Sequence, residues 1–471
     1  MRISIAILVA VWCVADVPIS AAPDNVRAEA RQLYARLIAF KTSKGLGQVP
    51  IMASYLAAEL RSAGFPDEDV HILPLGETAS FVVRYRGDGT GGRPILLLAH
   101  MDVVTADPND WQRDPFTLIE ENGYFFGRGT LDIKADVVAI TMTFLRLKRE
   151  GFVPTRDLIL AFTGDEETDQ ATTRDLVENH RALIDAEFAL NGDGGGGVLA
   201  EGTGKASLYS LQGAEKTYAS FEITARNAGG HSAEPRVENA IYDLASALKA
   251  LQAYRFPVRW NEWTLASLAA SGAVTPGALG TAMTRFAANP NDAEAAEVLA
   301  AEPTHVGQTR TTCVATMLSG GHAENALPQK ATATVNCRIF PGTSVSEVEA
   351  DLRRVVGDKV SVGLAEPRAS ESAASPMRAD VVNAVTRAVH ASYPGVRIVP
   401  DQASYYTDGA VFRAAGIPTY GVSSVFLKDS DSFAHGLNER VPVSAFYNGL
   451  THWDELIRDL AARHTGSRAH P

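Results

Sequence analysis

The stretch PILLLAHMDVV, residues 94–104, decides how the rest of the chain is read. Five apolar residues, Ile95 to Ala99, follow one another without a polar break. A strand of that kind is buried on both faces, as in a parallel sheet covered by helices. It ends on His100 and Asp102. In open α/β sheets, ligands collect just beyond such strand ends. A His-x-Asp pair allows the imidazole to bind a metal through one nitrogen while the acid accepts from the other.

Working outward, FVVRY (81–85), DLILAFTG (157–164) and EFALNGD (187–193) read as further strands. The spacing predicts helices over 24–40 and 50–64 ahead of them and over 135–150 among them. Alternating apolar strands and amphipathic helices predict an α/β fold with a mostly parallel sheet flanked by helices. Around Gly213 the pattern changes to alternating strands (216–227, 310–318, 330–340, 359–364) and two helices (238–254, 344–357). The order strand, helix, two strands, helix, strand is the ferredoxin-like split βαβ. It carries an Ala-rich, helical interruption from Phe256 to Gln308. Beyond Pro367 the α/β pattern resumes, with helices over 380–391, 409–415 and 443–462 and strands over 396–400 and 417–422. The expected organisation is a signal peptide over 1–22, a catalytic domain over 23–212 and 367–471, and an inserted lid or dimerisation domain over 213–366.

The chain has 471 residues, a net charge of −12 and 46% hydrophobic content, ordinary for a globular protein and without the basic face of a nucleic-acid binder. Arg2, the apolar run Ile3–Ala15 and the small residues Ser20–Ala22 have signal-peptide form, with cleavage after Ala22. This implies a periplasmic or secreted protein with no stable membrane insertion afterwards. The tail beyond Arg463 is read as disordered. Cys313 and Cys337 could pair in an oxidising compartment. The alternation that places Ala333, Val335, Cys337 and Ile339 on one strand face instead reads them as core thiols.

Each remaining polar fragment has two readings. Asp132, in GRGTLDIKAD, could bridge two cations with its two oxygens or cap the following helix. Glu166 and Glu167, adjacent in FTGDEETD, repel unless something stabilises them. A metal on one, with the other free as general base, does so; a surface acidic turn is the alternative. Asp193 precedes four glycines, a ligand loop or a flexible turn. His435, in FAHGLNERV, could complete a second metal. His231, in GGHSAEP, could stabilise an oxyanion, and Arg338 could clamp a carboxylate bidentately. Asn325 could add a neutral donor, although for Asn325 and His322 a turn role reads better. The other seven histidines (71, 180, 305, 390, 452, 464 and 470) are given no role.

Together the fragments resemble the di-zinc metallopeptidase family of aminoacylase, carboxypeptidase G, carboxypeptidase S, succinyl-diaminopimelate desuccinylase and peptidase T. NDWQRDPFTLIEENGYFFGRGTLDIK (109–134), NAGGHSAEP (227–235) and TDGAVFRAAGIPTYGV (407–422) carry the likeness. RTTCVATMLSGGHAENALPQKATATVNCRIFPG (310–342) is most similar to the carboxypeptidase-S branch, which includes N-acyl-amino-acid hydrolases. The resemblance implies one zinc on His100 and Asp193, another on Glu167 and His435, and Asp132 between them, with cobalt or manganese as substitutes. It implies Glu166 as general base and acid, Asp102 as orienter of His100, and Arg338 as carboxylate binder. His231 is similar to a residue that reaches the partner's active site in dimeric relatives, which implies a homodimer through the inserted domain. The implied substrate is a small peptide or N-acyl amino acid with a free carboxylate. Asp193 stands where deacylases and carboxypeptidases often have glutamate and dipeptidases aspartate, so both actions stay open. Hydrolysis of carbamoyl or ureido compounds, and a non-catalytic binding role, are the alternatives.

Overall fold

The structure, a computed structural model, describes residues 23–365 and 370–462. The leader, the tail beyond Arg463 and the expected boundary at 366/367 lie outside the described residues or at their edge.

A ten-stranded sheet forms the larger layer. At its centre the strand Ile95–His100 runs parallel to Leu158–Thr163 on one side and to Phe188–Asn191 on the other. Next to the latter, Thr419–Gly421 is also parallel; beyond Leu158–Thr163 the sheet is completed by antiparallel strands, and beyond Thr419–Gly421 by a mixture of antiparallel and parallel pairs. The apolar run is explained by its surroundings. Ile95, Leu97 and Leu160 face a large core built with the helices Asp24–Ala39, Val49–Ser62, Lys134–Arg149 and Val443–Ala461. Leu96, Leu98 and Ile159 face a smaller core completed by Leu176 and Phe412 on the opposite side. With both faces covered, alternation has no role, and the strand is apolar throughout.

The second layer is a four-stranded antiparallel sheet, ordered Thr312–Gly320, Lys330–Ile339, Thr217–Arg226, Val360–Leu364. Its helices are Ala240–Ala253 and Val345–Val356. The second is closed at its start by a capping box between Ser344 and Glu347, and it buries Val345, Val348, Leu352 and Val356 on one stripe.

Here one expectation is corrected. Cys313 and Cys337 form a disulfide. The alternation placed Cys337 in the core correctly, where it is fully buried. What sets the pairing is register: the edge strand aligns Cys313 directly opposite Cys337, with Cα atoms 4.1 Å apart.

The helical interruption folds as Glu262–Gly272, Gly277–Ala288, Ala293–Ala301 and the short turn Val306–Thr309. It has its own core around Leu268, Met283, Phe286 and Leu299. It packs on the larger layer, not on the sheet in which its sequence is embedded. Asn261 Nδ2 donates to Gln402 Oε1 at 2.7 Å, and the indole N–H of buried Trp263 donates to Ser375 O at 2.7 Å. The Trp263 ring occupies the space that a side chain at position 213 would need, so the strand Ala206–Glu215 carries a glycine there.

Candidate metal centre

Three neighbouring parallel strands end together, and their ends carry the acids and the imidazole. His100 is in register with Thr163, and Leu98 with Asn191. The loops that follow therefore bring His100 and Asp102, Glu166 and Glu167, and Asp193 to one side of the sheet. Asp132 arrives from the turn before the helix Lys134–Arg149. That helix is capped by Ile133 without a side-chain bond, so Asp132 is not its N-cap.

The Asp132 carboxylate faces two imidazoles at once. Oδ1 is 3.0 Å from His100 Nε2, and Oδ2 is 3.1 Å from His435 Nε2. His435 Nε2 is also 2.9 Å from Glu167 Oε2, and His100 Nε2 is 4.0 Å from Asp193 Oδ2. Donor atoms of His100, Glu166 and Asp193 lie within 4.8 Å of one another, as do those of His100, Asp132 and Glu167. Proximity therefore places both glutamates beside His100. Asp102 has a wider role than expected. Each of its oxygens accepts one backbone N–H, from Glu166 and Glu167, at 3.1 Å. His100 Nδ1 lies nearer the Asp102 carbonyl (3.1 Å) than its carboxylate (3.4 Å). Asp102 thus fixes the glutamate turn as well as the histidine.

Electrostatics test whether cations fit here. Burial, then the charge of Asp193, pushes Glu166 well above the usual carboxylate range, and burial does the same to Asp193. Burial raises Asp132 too, but hydrogen bonds from His100 and His435 outweigh it and hold it low. His435 rises to about 10 through its bonds to Asp132 and Glu167. Among the described residues, these two histidines are the only ion-pair partners of Asp132, Glu167 and Asp193. A largely half-buried group of carboxylates and imidazoles around the buried His100, with more negative than positive groups, matches the donor set of hard and borderline divalent ions.

The two flanking acids differ: Asp169 is exposed and pairs with Lys44 at 2.6 Å, whereas Asp165 is turned inward. Asp165 is buried and accepts from Ala171 N and Thr172 N, holding the next helix. Two further buried acids were missed in the sequence. Asp408 accepts from the hydroxyls of Thr163 and Thr173 and is pushed up to about 7 by burial. Glu439 pairs with Arg128 at 2.6 Å beneath the Asp132 loop. Asp408 lies within TDGAVF and Glu439 four residues after His435; neither stretch has a periodicity that separates it from an ordinary turn.

A cavity of about 900 Å³ contains this cluster and extends to the second layer. Arg338 lines it, with its guanidinium 4.8 Å from the Tyr218 ring and its Nη1 3.3 Å from Ser404 O. His231 and Asn325 do not line it. Both are exposed on a two-stranded ribbon that extends from the second layer, in which Gly230–His231 pairs with Ala326–Leu327 and Ser232 N donates to Asn325 O. The cavity thus gathers Asp132, Glu166, Glu167, Asp193, His435 and Arg338 on its walls, with His100 and Asp102 bonded to them, and leaves His231 and Asn325 outside it.

Comparison with known proteins agrees with this architecture. The chain is 28% identical over 397 residues to an N-fatty-acyl-amino acid synthase/hydrolase of Xenopus tropicalis, covering 81% of this chain and 75% of that one. It is 27% identical over 397 residues to a probable carboxypeptidase S-like protein of Dictyostelium discoideum, covering 81% and 74%. Its fold is similar to that of an M20 family metallo-carboxypeptidase from Sulfolobus solfataricus, with a TM-score of 0.69, 16% identity and coverage of 92% and 99%. The model of peptidase family M20/M25/M40 matches residues 96–459. The chain belongs to that family and is a metal-dependent hydrolase of amide bonds.

Proposed function

We propose that the protein is a di-zinc amidohydrolase that cleaves small peptides or N-acyl amino acids carrying a free carboxylate. The observation that carries this reading is the Asp132 carboxylate, whose two oxygens address two different imidazoles 3.0 and 3.1 Å away. His100 and Asp193 would hold one ion, Glu167 and His435 the other, and Asp132 would bridge them; cobalt or manganese could replace zinc. When bound, two such ions acidify water and polarise a carbonyl.

The protein's own groups supply the rest. Glu166, without an ion-pair partner among the described residues and raised by burial, accepts a proton from the attacking water and returns it to the leaving amine nitrogen. Asp102 keeps Glu166 and Glu167 in place through their main-chain N–H groups. Arg338, on the cavity wall, binds the substrate carboxylate. His231 would add an oxyanion donor from a second copy of the chain, since it stands outside its own cavity. A homodimer through the second layer is consistent with the exposed Val314, Met317 and Leu318 on the edge strand and Tyr242 on the adjoining helix. The Cys313–Cys337 disulfide accords with a periplasmic or secreted location.

The test is hydrolysis by zinc-loaded mature protein of matched dipeptides, N-acyl amino acids and carbamoyl amino acids, each with a free or esterified carboxylate. Turnover of free-carboxylate peptides or N-acyl amino acids is expected. Indifference to esterification removes Arg338 from substrate binding. Turnover of carbamoyl compounds alone replaces this substrate class with the ureido one.

A further inference from the structure

We infer that the buried Arg128–Glu439 pair is a positioning element that brings the Asp132 and His435 loops to one place, with each half serving a different loop. The inference rests on the two-ion reading above.

The short strands Tyr124–Phe126 and Arg440–Pro442 are antiparallel neighbours, with Phe126 opposite Arg440. The ladder continues into the loops, where Gly127 N donates to Glu439 O at 3.1 Å. Glu439 then turns its side chain under the Asp132 loop. Its Oε1 accepts from Leu131 N at 2.7 Å and Asp132 N at 3.0 Å, and its Oε2 from Gly129 N at 3.2 Å. Gly129 has φ +84°, and a side chain there would press on Val103 and Lys134, so the approach requires glycine. Arg128 serves the other loop. Nη1 pairs with Glu439 Oε2 at 2.6 Å, while Nη2 donates to the carbonyls of His435 and Gly436, both at 3.2 Å.

His435 shows why such an anchor is needed. Its side chain is 55% exposed and its backbone is left-handed, at φ +62°. Side-chain packing therefore holds it weakly, and the main chain must set where the imidazole points. Arg128 and Glu439 have relative exposures of 2% and 0%. A buried ion pair adds little net stability over apolar residues of the same size. Three N–H groups on one member and two carbonyls on the other instead specify geometry.

The experiment is a chelator-competition titration that counts bound zinc ions and their affinities, paired with the melting temperature of the metal-free protein. Arg128→Lys keeps the charge beside Glu439 but cannot span both carbonyls. It should weaken one ion by about 10–100-fold and leave the other unchanged. Glu439→Gln should weaken both ions, because Asp132 contributes to each; if this variant does not fold, Arg128→Lys carries the test. Variants that hold two ions at wild-type affinity, with only a lower metal-free melting temperature, overturn the proposal and leave the two-ion reading intact. A wild-type protein that binds a single ion overturns both.

Discussion

His100, Asp102 and Glu439 are buried and bonded on more than one side, whereas His231 and Asn325 stand in solvent on the four-stranded layer. The two regions hold their polar groups by different means. At the strand ends of the large sheet, each charged group is held by another group whose own position is fixed: Asp102 by two main-chain N–H groups, Asp132 by Glu439, His435 by Arg128. On the second layer, among the described residues, the His231 imidazole is bonded only within its own turn, where Ala233 N donates to Nδ1 at 3.1 Å. Chemistry at a cation requires groups preset to a fraction of an ångström. Recognition from a neighbouring layer tolerates groups that settle when substrate or a second copy arrives. Arg338 lies between these cases: it lines the cavity, but it comes from the second layer.

This contrast can be broken most sharply at Asp132. Asp132→Ala should lose bound metal and bring hydrolysis to background, as read by elemental analysis beside an activity assay; retained metal would mean that the preset cluster is not the ion site. The next largest effect is on stability. His452, buried under the large sheet with Nε2 3.1 Å from Val422 O, is lowered by burial to about 4. Its folded pKa lies below the unfolded value, so its contribution is present above about pH 6.5 and is lost as pH falls toward 4. This amounts to roughly 3 kcal/mol. Denaturant titrations at pH 7, 5.5 and 4 should show a shallower decline for His452→Gln than for the wild type. Arg338→Ala should raise KM for free-carboxylate substrates by about 10–100-fold, the worth of a charged hydrogen bond, and leave esterified ones unchanged. Asn325→Ala should change turnover by less than about twofold, within the range of exposed substitutions; a larger loss would give the second layer a fixed catalytic group.

The large sheet was legible in the sequence because Ile95–Ala99 and Leu158–Phe162 are apolar without alternation, and burial on both faces is what produces that pattern. The second layer was legible for the opposite reason, through the strict alternation of Lys330–Ile339. His100, Asp132 and the glutamate pair could be picked out because each sits where a strand or turn hands over to the next element. Glu439 and Asp408 could not, since their partners, main-chain groups, hydroxyls and the Arg128 guanidinium, lie more than 200 residues away. The Cys313–Cys337 bond was hidden because alternation reports which face a residue occupies and is silent on register across strands. The packing of the Glu262–Ala301 helices on the large layer was likewise not readable from position, because their sequence lies between two elements of the other layer.

In the proposed reaction Glu166 and Glu167, adjacent in sequence and both close to His100, do different work. Bound metal and kcat, measured together for Glu166→Gln and Glu167→Gln, test it most directly. Glu166→Gln is expected to keep its full metal content and to lose about 10²–10⁴-fold in kcat, while Glu167→Gln loses metal. Metal lost from Glu166→Gln and kept in Glu167→Gln, or near-normal turnover in Glu166→Gln, would contradict it.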